Sequence, residues 1–209
     1  MTDTIRLATP KDAARVAEIY APAVTDSAIS FELEAPDAAE VRRRIGYVSS
    51  NTPWVVCERD GQVLGFAYAG QFRVRPAYQW TVEVWAYVAP EAQGAGVARA
   101  MYTSLFAALT VQGYRNLIAG IALPNPASVR FHEAMGFVAV GVYHNVGYKL
   151  GAWRDVAWYE RPLAPFDENP VAPRPLPQIR DSAEFAAAMR LGVPLIRLPG
   201  LDDDATGWR

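Results

Sequence analysis

The sequence predicts an α/β fold, a mixed sheet (α+β in the order of its parts) with helices on both faces. Segments of helical and strand periodicity alternate through residues 1–163. The middle strands are apolar at nearly every position, as strands covered on both sides are. Six of the sixteen prolines then fall between Pro162 and Pro177, where the alternation stops. Taken in order, Ile5–Leu7 begins a strand, and Thr9–Pro10 reads as an N-cap and first-turn pair opening a helix through Ile19. A second helix is expected from Asp37 to about Val48. Trp54–Glu58 and Val63–Tyr68 are strands joined at the hairpin signal Asp60–Gly61. Trp80–Val88 is a long buried strand, and Gly96 to about Ala108 a helix with Val97, Met101, Leu105 and Leu109 on one stripe. Leu117–Leu123 is a buried strand, Pro126–Met135 a helix, and Phe137–Tyr143 and Val156–Glu160 are further strands. Residues 164–209 read as an extension: a proline-rich linker, a short helix near Ser182–Leu191 and an acidic end at Asp202–Asp204.

Composition narrows the function. The 209 residues are 51% hydrophobic and 20% charged, a soluble globular balance rather than a disordered one. A net charge of −2 leaves no electrostatic footprint for nucleic acid, and Arg42–Arg44 reads as a solvated helix face. One cysteine, Cys57, excludes a disulfide framework and points to a reducing, cytoplasmic setting; lying in an apolar strand, it reads as a buried structural thiol. With only His132 and His144 beside it, no metal site is expected. No membrane span or signal core is expected either.

The stretch that carries chemistry is Val88 to Ala98, a buried strand running through a Gly-rich turn into a helix. Such a turn suits an anion: helix-start N–H groups are unpaired, the helix dipole favours negative charge, and glycine admits close approach. Gly94–Ala95–Gly96 also serves as plain turn chemistry. A dinucleotide site would want a small third residue and an acidic one further on. Arg99 stands at the third position, and no Asp or Glu occurs between Glu91 and Glu133. No Gly-Lys-Ser/Thr exists for a P-loop. Glu83 is the anomaly in the apolar strand: a carboxylate there must be paired, hydrogen-bonded or functional. Arg73 and Arg75, two apart, suit a doubly anionic ligand if extended, or form surface charge before the strand.

Gln93-x-x-Gly96-x-Ala98 resembles the Arg/Gln-x-x-Gly-x-Gly/Ala signature of the GNAT acetyltransferases. Asn125–Ser128 followed by Phe131–Phe137 resembles that family's Asn-x-x-Ser helix ending in Gly-Phe. Further blocks are similar to the phosphinothricin and methionine sulfoximine N-acetyltransferase branch: Phe31, Gly61–Gly70, Ala77-Tyr78-x-Trp80-Thr81-x-Glu83, Ser128–Ala134 and Trp153-x-Asp155-Val156. The resemblance covers about Ile5 to Pro162. It implies a mostly antiparallel sheet of six to seven strands that splays between two middle strands, with acetyl-CoA in the gap.

The resemblance also implies roles. Gln93, Gly94, Ala95, Gly96, Val97 and Ala98 would hold the pyrophosphate of acetyl-CoA, Asn125 and Ser128 its pantetheine side, and a backbone N–H near Tyr87 and Val88 the oxyanion. Glu83 would be the general base, its pKa raised by apolar walls. His132, standing where the wider family has tyrosine, would protonate the thiolate, or serve only as a structural hydrogen-bonding residue. Phe31, Arg73, Arg75, Tyr78 and Thr81 would bind a small anionic amino acid, acetylated by direct attack of its α-amine. A homodimer is implied, with Trp153 and Trp158 serving an interface or the core. Two alternatives stand: another amine, such as a protein N-terminus or polyamine, and a non-catalytic acyl-CoA-binding module. The arginine pair would repel a polyamine, and a binding module needs neither Glu83 nor Tyr78.

Overall fold

The computed structural model describes residues 2–197; the acidic end expected at Asp202–Asp204 lies outside them. Seven strands form one sheet: β1 (Asp3–Leu7), β2 (Trp54–Arg59), β3 (Gln62–Gln71), β4 (Thr81–Val88), β5 (Asn116–Ala122), β6 (Val138–Lys149) and β7 (Ala152–Pro162). Their order is β1-β2-β3-β4-β5-β7-β6, antiparallel throughout except for β4 beside β5. The expected mixed sheet with helices on both faces is formed.

Strand alternation divides the apolar residues into two cores. On β2, Trp54 and Val56 face α1 (Ala13–Thr25) and α2 (Ala38–Ser49), while Val55 and Cys57 face α3 (Val97–Gln112). Met101, Leu105 and Leu109 of α3 are wholly buried against the sheet, as their stripe predicts. Burial pushes the Cys57 thiol up to about 12, so it stays an inert, protonated part of the core. α1 runs past the expected stop at Ile19 and past Pro22, because Tyr20 and Val24 still face the core. Glycines in the left-handed region bound α3, Gly96 (φ 78°) before it and Gly113 (φ 103°) after it. Among the described residues no helix is long and apolar enough to cross a membrane.

Two regions differ from expectation. β6 runs on past the expected end at Tyr143 to Lys149, and β7 extends beyond Val156–Glu160 at both ends. The proline-rich stretch is no free linker. Trp80 Nε1 donates to the Val171 carbonyl (2.8 Å), and the Arg174 N–H to the Gln112 carbonyl (2.8 Å). Buried Gln112 returns its Nε2 to the Arg174 and Asn51 carbonyls (2.7 and 2.8 Å). The chain then enters α5 (Leu176–Ile179) and α6 (Ala183–Arg190), whose Leu176, Ile179, Phe185 and Met189 are buried in the same core as α3.

Candidate active site

β4 and β5 are paired only through Thr81–Asn116, Val82–Leu117 and Glu83–Ile118. Beyond Glu83 they part. Val84–Val88 pairs with β3 alone, and Ala119–Ala122 with β7 alone. Glu83 is therefore the last β4 residue held against β5, at the point where the sheet opens. Gly120 keeps the opening clear: a Cβ there would stand 3.3 Å from the Trp158 ring and 3.5 Å from Glu83 Oε1.

A cavity of about 280 Å³ occupies this opening. Among the expected site residues, Phe31, Glu83, Tyr87, Asn125, Ser128 and His132 line it. Thr81 and Val88 lie on β4 to either side without lining it. Arg73 lines a neighbouring cavity of about 280 Å³ that shares Trp158 with the first. Arg75 and Tyr78 line neither. The segment before β4 is bent rather than extended, so Arg73 and Arg75 are not presented as a simple pair. Arg73 instead stacks on Phe72, its guanidinium 4.8 Å from the ring centre.

Glu83 is half-buried and makes no hydrogen bond or ion pair among the described residues. Desolvation dominates, pushing its pKa up to about 7, while the charge of Arg73 pulls the other way. Its neighbours on the same strand face are fixed by stacking: Trp85 lies 4.8 Å from Tyr68, and Tyr68 4.2 Å from Trp54.

His132 sits on α4 (Pro126–Ala134), whose start follows from Asn125–Pro126. Asn125 Oδ1 accepts the Ser128 N–H (3.1 Å), and Pro126 occupies the first turn, where no N–H is needed. Asn125 is thus the cap of α4 and also lines the cavity. His132 is buried, and desolvation holds its pKa below the ordinary imidazole value. Its Nδ1 lies 2.8 Å from the Ser128 carbonyl, which can only accept, so the neutral ring carries its hydrogen on Nδ1. Nε2 is left as an acceptor, 3.3 Å from the Tyr102 hydroxyl.

Tyr102, Trp158 and Gly120 line the cavity but were not expected in it. The polar hydroxyl on a buried α3 tyrosine was the available signal for the first. The Ile29–Phe31 segment also reaches the cavity, held by Lys149 Nζ donating to the Ser30 carbonyl (2.6 Å). Gly147 admits the Phe31 ring, which a Cβ there would strike.

Backbone donors complete the site. The Ala89 N–H donates to the Leu64 carbonyl of β3 (2.9 Å). Antiparallel alternation then points the Val88 and Ala86 N–H groups away from β3, toward the gap. At the head of α3, Gly94 and Gly96 are both left-handed (φ 77° and 78°). The N–H groups of Gly94, Ala95 and Gly96 donate to nothing among the described residues. Consecutive free donors at a helix start fit a diphosphate.

Comparison with known proteins agrees with this geometry. Residues 5–158 match the acetyltransferase (GNAT) domain family. The chain is 38% identical over 172 residues to phosphinothricin N-acetyltransferase of Streptomyces viridochromogenes, covering 82% of this chain and 92% of that one. It is 33% identical over 166 residues to the L-methionine sulfoximine/L-methionine sulfone acetyltransferase of Salmonella typhimurium, covering 77% and 94%. A Sinorhizobium meliloti phosphinothricin acetyltransferase, solved in complex with acetyl-CoA, superimposes with a TM-score of 0.77 at 36% identity, covering 82% and 94%. The chain belongs to the GNAT family and is an N-acetyltransferase.

Proposed function

We propose that the enzyme transfers the acetyl group of acetyl-CoA to the α-amine of a small anionic amino acid of the phosphinothricin, methionine sulfoximine or methionine sulfone type. The observation that carries the reading is Glu83: a carboxylate without a hydrogen-bond or ion-pair partner among the described residues, at the parting of β4 and β5, with its pKa raised to about 7.

Acetyl-CoA supplies the acetyl thioester; Gln93–Ala98 would hold its diphosphate, and Asn125 and Ser128 would flank its arm. Glu83 takes a proton from the substrate ammonium, directly or through water, freeing the nitrogen lone pair for attack on the thioester carbonyl carbon. As the C–N bond forms and the C–S bond breaks, the Val88 N–H stabilises charge on the carbonyl oxygen. His132 has no proton on Nε2 to give in its neutral form. The departing thiolate takes up the proton that the attacking nitrogen sheds as the amide forms, with His132 and Tyr102 lining the cavity beside it. Arg73, in the cavity that shares Trp158, attracts the anionic end of the substrate, with Phe31 as an apolar wall.

We further propose that the enzyme is a homodimer joined along β6. This edge strand exposes Val138, Val140, Val142, Val146 and Tyr148, with Trp153 beside them on β7. Trp158 is a cavity residue rather than part of that face.

The substrate reading is tested by thiol release from acetyl-CoA across a panel of amines. Turnover is expected with phosphinothricin, methionine sulfoximine or methionine sulfone and not with spermidine. Preference for a polyamine or a peptide N-terminus would contradict it.

A further inference from the structure

Residues 164–197 lie beyond the span that matches the acetyltransferase family, yet they end on the back of the diphosphate turn. Ser104 of α3 fixes their crossing from both sides. Its hydroxyl donates to the Met189 carbonyl (2.8 Å) and accepts the Gly192 N–H (3.0 Å). Gly192 is pressed so close to α3 that a Cβ would strike the Ala100 carbonyl. The turn Val193–Leu195 then brings the Leu195 carbonyl against Gly96, where a Cβ would also collide. Finally the Arg197 N–H donates to the Ala95 carbonyl at 2.8 Å.

Peptide geometry gives this contact a consequence. A trans peptide is planar, and its C=O and N–H point in opposite directions. The Ala95 carbonyl and the Gly96 N–H belong to one such unit. Gripped from behind by Arg197, the unit must present the Gly96 N–H on the other side, where nothing among the described residues accepts it. The unit ends at left-handed Gly96, with left-handed Gly94 one residue before it, and glycine permits other orientations at little cost. We propose that Gly192–Arg197 is a built-in brace that preorganises the turn for the diphosphate of acetyl-CoA. The extension is thereby a positioning element of the co-substrate site. This rests on reading Gln93–Ala98 as the diphosphate turn. Preorganisation raises affinity by removing the ordering cost from the binding step.

The test is calorimetric titration of CoA into the full-length protein, with KM for the amine and Tm measured alongside. Arg197→Pro deletes the one N–H, and Ile196 already has the extended backbone (φ −74°, ψ 126°) that a following proline requires. Loss of one such bond should weaken CoA binding about 3- to 10-fold, with the amine KM unchanged. Arg197→Ala keeps the N–H and should bind as the parent does. Gly192→Val, which pushes the brace off α3, should weaken CoA at least as much as Arg197→Pro. Equal affinity in the parent and Arg197→Pro overturns the brace and leaves the diphosphate reading standing. Equal losses in Arg197→Ala and Arg197→Pro assign the effect to the guanidinium and also overturn it. Failure of the parent to bind CoA overturns the reading of the turn, and the brace with it.

Discussion

At the residue scale, the proposed role of Glu83 as general base predicts a pH dependence. A general base works deprotonated, so kcat/KM should rise with pH through about 7, the value to which burial pushes this carboxyl. Arg73 pulls that value down, so Arg73→Gln should move the acid limb to higher pH in addition to raising the KM of the anionic substrate. An acid limb that stays in place would contradict the coupling. The same shift has a cost for folding. The folded pKa lies above the ordinary 4.5, so the stability tied to this group is full below 4.5 and is lost as pH rises through about 7. Glu83→Gln should therefore be more stable than the parent at about pH 8 and lose that advantage near pH 4, as denaturant melts at the two pH values would report. Glu83 was legible in the sequence because a carboxylate interrupts an otherwise apolar strand. Tyr102 was less so: its hydroxyl was the one signal, and an aromatic on a buried helix otherwise reads as core. Its part in the site depends on His132, a contact made only by the fold.

At the element scale, the site is made by where strands stop pairing. Gly120 and Asn125 carry the consequences. Gly120→Val would push side-chain atoms toward Trp158 and Glu83. It should raise the amine KM and lower kcat while CoA still binds; unchanged kinetics would contradict the gap as the place where the amine is held. Asn125→Ala removes the α4 cap and should cost about 1 kcal/mol in unfolding experiments, while loosening the Ser128 carbonyl that holds His132. The Gly-rich turn, the Asn125–Pro126 helix start and the Asp60–Gly61 hairpin were all readable, because each depends on local backbone chemistry. The β6–β7 hairpin was underestimated. It turns at Leu150–Gly151 with Leu150 left-handed (φ 51°), a position for which the sequence offers no usual turn residue. β6 is also exposed along most of its length, so no burial pattern marks its ends. Arg73 and Arg75 would form a pair only on an extended segment, and theirs is bent, a feature that spacing alone does not encode.

At the scale of the whole molecule, the proline cluster marks the end of the family match and not the end of the core. Proline signals an extended chain but does not say what the chain lies against. The contacts at Gln112, Asn51 and Ser104 are long-range and invisible in local pattern. The exposed β6 face predicts assembly: Trp153→Asp combined with Tyr148→Asp should convert a dimer to a monomer in sedimentation velocity, and a parent that is already monomeric would contradict that assignment. The proposed function places the driving carboxylate of acetyl transfer, Glu83, at the opening of the sheet. Its most direct test is thiol release by Glu83→Gln with a phosphinothricin-type substrate, beside a CoA titration of the same variant. A loss of about 10²- to 10⁴-fold in kcat with CoA affinity retained is the predicted result, and near-parental turnover would contradict it.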